Sequence, residues 1–269
     1  MNKYKLELIV FISGAVVMIL EITGARVLAP YLGTSLFVWT SIIGIILGSL
    51  SVGYYLGGRL ADKEANYKTF SSLIFIAALL VGITTILKEP ILQIINSNVT
   101  NLKLAAVIAA TSLFAPASIF LGMVSPYAVK LKLKSLASSG RTVGNLYALS
   151  TIGSITGTFL AGFVLISYFG NTKLLVILTI TLILCSIFSY KKKLLKSKTL
   201  VLSFFLVYLG TIQLTEASFE ETGYLDIDTN YSRVRIVDDG DIRKLRISER
   251  HSSAMYLNSD EPVYEYVKF

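Results

Sequence analysis

Two ionisable residues, Glu21 and Arg26, lie inside the first long apolar run of this 269-residue chain. A helix starting near Leu6 rises about 1.5 Å per residue, which sets Glu21 about 22 Å along it. An ionised group at that depth is costly unless it is paired or reached by water. Arg26 follows five residues later, about 140° around the helix, a poor position for the two to pair. Two readings stay open for Glu21. It is an interhelical tie that fixes the bundle, or it belongs to a small-molecule or proton site toward the outer face. His251 is the single histidine and Cys185 the single cysteine. No His cluster, disulfide framework or Cys-based metal site can be built from them, so no metal is expected.

The elements that position these residues follow from composition. The chain is 54% hydrophobic and 16% charged, against about 25% charged in average soluble domains. Residues 1–215 carry 18 Lys and Arg against 5 Asp and Glu, and residues 216–269 carry 7 against 12. Two parts with different physics therefore join near residue 216: a transmembrane helical domain over 1–215 and a small β-domain over 216–269. The basic residues sit between apolar runs, which excludes a nucleic-acid-binding face.

A bilayer core of about 30 Å needs about 20 apolar residues in a helix. Seven candidates qualify: 6–31, 36–58, 69–87, 103–126, 143–168, 172–190 and 199–215, the last the shortest. The fold class is thus an α-helical polytopic membrane bundle of six to seven transmembrane helices, followed by a small antiparallel β-domain. The loops on one side collect 14 Lys and Arg and those on the other 3, namely Lys88, Lys103 and Lys173. The positive-inside rule then places the amino terminus in the cytoplasm of a multi-pass cell-membrane protein. Seven spans put the tail outside, and six keep it inside. Gly44-xxx-Gly48, Gly53-xxx-Gly57 and Gly153-xxx-Gly157 predict close helix packing within the bundle, with a homo-oligomer face as the alternative. Trp39, Tyr31 and Tyr127 are expected as interfacial anchors. Asn145, Tyr147, Ser150, Thr151 and Ser154 either line a cavity or tie helices together.

The tail changes period. Val234 and Ile236 alternate with Arg233 and Arg235, Asp239-Gly240 follows, and Leu245 and Ile247 alternate with Lys244 and Arg246. This pattern predicts a β-hairpin with one buried face. Further strands fit Tyr224–Thr229 and Ser253–Leu257.

Several segments resemble known families. Gly58-Arg59-Leu60-Ala61-Asp62-Lys63 resembles the short loop motif of major facilitator transporters, in which glycine permits a tight turn. Glu221-Thr222-Gly223-Tyr224, the hairpin, His251-Ser252 and Asp260-Glu261-Pro262-Val263-Tyr264 resemble the amino-terminal β-domain of polyamine aminopropyltransferases, the spermidine synthases. A branch of that family carries a multi-span domain, similar to Glu21, Arg26, Pro30, Gly33, Trp39, Gly53, Gly57-Gly58 and Asp62 here. The later Pro126, Gly144-Asn145-Leu146-Tyr147-Ala148, Gly153-Ser154 and Gly157 resemble it too. His251 stands where the family usually has Gln, and Glu265-Tyr266 where it has His-Glu.

The resemblance implies that Tyr264 and His251 face the diamine end of a composite active site. It also implies a Rossmann-like domain that binds decarboxylated S-adenosylmethionine and supplies the Asp that deprotonates the attacking amine. No GxGxxG motif is present. The expectation is therefore a chain with no cofactor and no confident catalytic residue of its own, lying in the lipid bilayer, either truncated or working with a separate Rossmann-like subunit. The alternative is a transporter or binding protein for a polyamine or other cation, with Glu21 as counter-ion. A structural membrane anchor is a third reading.

Overall fold

The computed structural model describes residues 3–133, 139–190, 201, 204–205, 208, 225–228, 233–247, 250–259 and 263. Four long helices come first: α1 (Lys3–Leu32), α2 (Leu36–Lys63), α3 (Tyr67–Asn98) and α4 (Leu102–Lys132). Then α5 (Ser139–Leu160), a π-helical turn (Ala161–Leu165) and α6 (Ile166–Ser189) run on as one stretch of 51 residues. Among the described residues, five helical stretches are long and apolar enough to cross a membrane, which corrects the expected six to seven. The expected fifth and sixth spans fall within one of these stretches, as its two arms on either side of Gly170. Of the seventh candidate only residues 201, 204, 205 and 208 are described, all helical; its remainder lies outside the described residues.

The long run is bent. Gly170 adopts φ 65° and ψ 172°, a conformation glycine reaches without a Cβ clash. Before it, α5 runs parallel to α1, with Gly153 against Phe11 and Gly157 against Ala15. After it, α6 runs antiparallel to α3. Ser71 Oγ donates to the Ser186 carbonyl at 2.6 Å, and Lys88 Nζ donates to Thr172 Oγ1 at 2.7 Å. The helices α1 and α3 point the same way, since Arg26 and Lys88 line one cavity while Glu7 and Asn66 both bond to the end of α4. The chain therefore turns back on itself at Gly170.

One end of the bundle is basic. Lys132 Nζ reaches Glu7 Oε1 at 2.6 Å and Lys130 Nζ reaches Asp62 Oδ1 at 2.7 Å. Tyr127 is fully buried; its hydroxyl donates to the Glu64 carbonyl at 2.5 Å and accepts from the Asn66 amide at 3.1 Å. Tyr127 thus anchors the α2–α3 connection and is no interfacial residue. Residues 58–63, expected as a tight loop, stay inside α2, and the chain leaves the helix only at Glu64. Asp62 bonds across to α4 instead of relaying charge within a loop.

Six glycines set the helix spacing, Gly14 against Ser150 and Gly122 against Leu50 among them. A Cβ on Gly53 would lie 2.2 Å from the Ile119 carbonyl oxygen, and one on Gly57 2.6 Å from the Met123 Cα. The same holds for Gly153 and Gly157 against Phe11 and Ala15. Gly44 and Gly48 differ: no atom lies within 4 Å of their added Cβ, so this third pair faces out of the bundle.

The tail is a four-stranded antiparallel sheet in sequence order: β1 (Leu225–Asp228), β2 (Arg233–Asp239), β3 (Ile242–Ile247) and β4 (Arg250–Tyr256). The hairpin forms as expected. Its two connecting residues are Gly240 and Asp241, and Gly240 takes φ 62°. Ile247 lines a cavity together with Ala29–Thr34 and Asn96, at the end opposite the basic one.

Cross-strand charges lock the turn. The Arg243 guanidinium grips both Asp238 carboxylate oxygens, at 2.7 and 2.8 Å, and Lys244 pairs with Asp239. The hydrogen bond from Arg243, and then its charge, hold the Asp238 carboxyl below the usual range. A carboxyl depressed in the fold adds stability above its unfolded pKa and loses it as pH falls through the folded value. In Arg243→Gln, the Asp238 carbon resonance followed by NMR should titrate higher than in wild type, and the stability the pair adds near neutral pH should be absent.

Candidate functional site

The polar groups converge at the end of the bundle away from the basic loops. Pro30, one turn after Arg26 in α1, has no N–H to give the Arg26 carbonyl, so the last turn of α1 loses a helical hydrogen bond there. Arg26, Pro30 and Tyr31 from α1 meet Lys88 and Glu89 from α3 and Asn171 from the first turn after the Gly170 bend. Together they enclose a space of about 20 Å³, the size of one water. Lys88 is 7% exposed, its ammonium bonded to Thr172 and 3.7 Å from Glu89 Oε1. Pro30 and Tyr31 also form a wall of a second cavity of about 590 Å³, bounded by the ends of α1 and α3, the start of α4 and Ile247 of β3.

The sequence missed this cluster. The hydropathy pattern ends the third span at residue 87, which leaves Lys88 in a loop. The helix instead continues through Pro90 to Asn98. Ile91, Leu92, Ile94 and Ile95 after Pro90 were the available signal, since they keep the apolar period running.

Glu21 lies apart from the cluster. It is half-buried, and among the described residues it forms no hydrogen bond or ion pair. The parallel register of α1 and α5, extended nearly two turns beyond Ala15 and Gly157, brings it level with the π-helical turn. Such turns carry an irregular hydrogen-bond ladder and occur often at functional sites. His251 takes a position in β4 opposite Arg246 of β3. Tyr264 lies outside the described residues. The structure therefore does not bring Glu21 together with the tail residues.

The remaining polar candidates divide. Ser154 Oγ donates to the Gly14 carbonyl at 3.2 Å, a tie between α5 and α1. Asn145, Tyr147 and Thr151 are exposed on the outer face of α5. Trp39 is exposed near the start of α2, as an interfacial anchor should be. Among the described residues no group of three or more potential metal ligands forms.

No protein-family model, curated protein or solved structure matches the chain. Its site is therefore interpreted from its own chemistry. The buried Lys88 ammonium is the costly element of the cavity, and Thr172 is its described acceptor. Replacing Thr172 with Val leaves the ammonium without that acceptor, a loss of about 1–3 kcal/mol. A thermal melt in detergent should show Thr172→Val below wild type, and Lys88→Met, which removes the charge itself, less affected.

Proposed function

We propose that this chain is the membrane bundle and β-module of a spermidine-synthase-like aminopropyltransferase that works with a Rossmann-like donor-binding unit. The observation that carries this reading is the four-stranded antiparallel meander of residues 225–256, which follows a multi-helix membrane bundle and contains the strand positions of the resemblance, His251 among them. In this reading the amino terminus and the basic end face the cytoplasm.

The reaction forms a C–N bond between a neutral amine of the diamine and the carbon beside the sulfonium of decarboxylated S-adenosylmethionine. The C–S bond breaks, methylthioadenosine leaves, and the amine proton passes to a base on the donor-binding unit. His251 and Tyr264 supply hydrogen bonds at the diamine end. This chain contributes position and acceptor recognition, and the partner contributes donor and base.

A second reading, a polyamine- or cation-binding membrane protein, is favoured by Glu21. It is a half-buried carboxylate in an apolar helix with no described ion-pair partner. The Arg26–Lys88–Glu89 cavity suits a polycation less, since two of its three charged side chains are cationic.

One assay separates the two. Membranes holding the chain receive decarboxylated S-adenosylmethionine and putrescine, with and without a co-expressed Rossmann-like subunit. Methylthioadenosine is expected only when both proteins are present. A complex that assembles yet yields none would overturn the transferase reading. Spermidine binding to the chain alone, abolished by Glu21→Gln, would then establish the second.

A further inference from the structure

We propose that the outward groove between α2 and α4 is a binding site for one anionic glycerophospholipid. The helix α2 is the least enclosed of the membrane-crossing helices, with a third of its most apolar stretch buried against half or more for the others. Its exposed face is not uniform. Phe37, Thr40, Gly44 and Ile45 from α2 and Lys103 and Val107 from α4 line a groove of about 460 Å³.

The groove is graded along its length. At its mouth, near the start of both helices, Lys103 is exposed and its ammonium sits 4.6 Å above the Phe37 ring. Among the described residues it pairs with no carboxylate. Thr40 adds a hydroxyl one turn below. Deeper in, the walls are Ile45 and Val107, and Gly44 leaves the floor open, since nothing lies within 4 Å of where its Cβ would be. From Phe37 to Ile45 the helix rises about 12 Å.

A cation above an apolar furrow that starts at the headgroup level and descends into the hydrocarbon is complementary to a phosphodiester with an acyl chain attached. Charge complementarity selects the lipid over a second copy of this chain, because two copies meeting along α2 would bring Lys103 of each toward the other. A lysine near an anionic headgroup contributes about a fivefold preference.

Native mass spectrometry of the detergent-purified full chain tests this, with phosphatidylglycerol and phosphatidylcholine of identical acyl chains as probes. Wild type should retain phosphatidylglycerol about fivefold better. Lys103→Gln should bring the two lipids level, Lys103→Arg should keep the preference, and Gly44→Leu, which fills the groove, should lower retention of both. Because Lys103 is exposed and the Gly44 face is open, these variants leave the bundle contacts intact, which a thermal melt on the same samples verifies. Equal retention of the two lipids by wild type, or a preference unaffected by Lys103→Gln, would overturn the proposal. So would a dimer that Gly44→Leu dissociates with no lipid bound.

Discussion

Backbone-to-backbone contact at glycine is the constraint on which the rest of the bundle depends. Lipid gives apolar helices no hydrophobic reason to associate, so van der Waals contact and hydrogen bonds must supply the association. Gly53 and Gly57 let α2 reach the backbone of α4, and Gly153 and Gly157 let α5 reach the backbone of α1. Once these two pairs are close, α1 and α4 are fixed at the centre. Fully buried Phe70, Phe114 and Tyr127 pack the remaining space, and α3 and α6 close the other side through the reciprocal Ser71–Ser186 hydrogen bonds.

The two ends of this frame have opposite character. At the basic end, charges are paired across helices and the Tyr127 hydroxyl satisfies backbone groups of the α2–α3 connection, so polar groups there hold structure. At the other end, Pro30 and Gly170 interrupt regular helix, and ionisable groups from α1 and α3 line a small cavity. Phe205 packs against Gly82 of α3 and Tyr208 lies within electrostatic reach of Glu89, so this part of the chain heads toward the same end. That is also where Ile247 of the sheet meets the bundle. Irregular backbone, buried charge and the β-module share one region.

Much of this was legible in the sequence. Long apolar runs marked the helices to within a few residues at most ends, and the period-two alternation around Asp239-Gly240 marked the hairpin. The physical signal in each case was local. The break at Gly170 was legible as the gap between the expected spans 143–168 and 172–190, whereas its form, a single glycine at φ 65° between two helices, was not. Lys88 was missed because a charged Lys-Glu-Pro triplet normally ends a span, whereas Thr172 on another helix makes its burial tolerable. Which of three similar Gly-xxx-Gly pairs faces outward also depends on neighbours far away in sequence: Gly53 and Gly57 meet residues about 65 positions on, and Gly44 meets none.

The central claim is that close backbone approach at specific glycines holds the bundle. It is tested most directly by comparing the thermal stability of Gly153→Ala and Gly44→Ala in the same detergent. A methyl group at Gly153 would sit 2.0 Å from the Phe11 carbonyl oxygen, and a backbone atom cannot swing aside as a side chain can. Gly153→Ala should therefore lose about 1–3 kcal/mol. Gly44→Ala should hold or gain stability, since its site is open and alanine favours helix. Equal stability of the two variants would contradict the account.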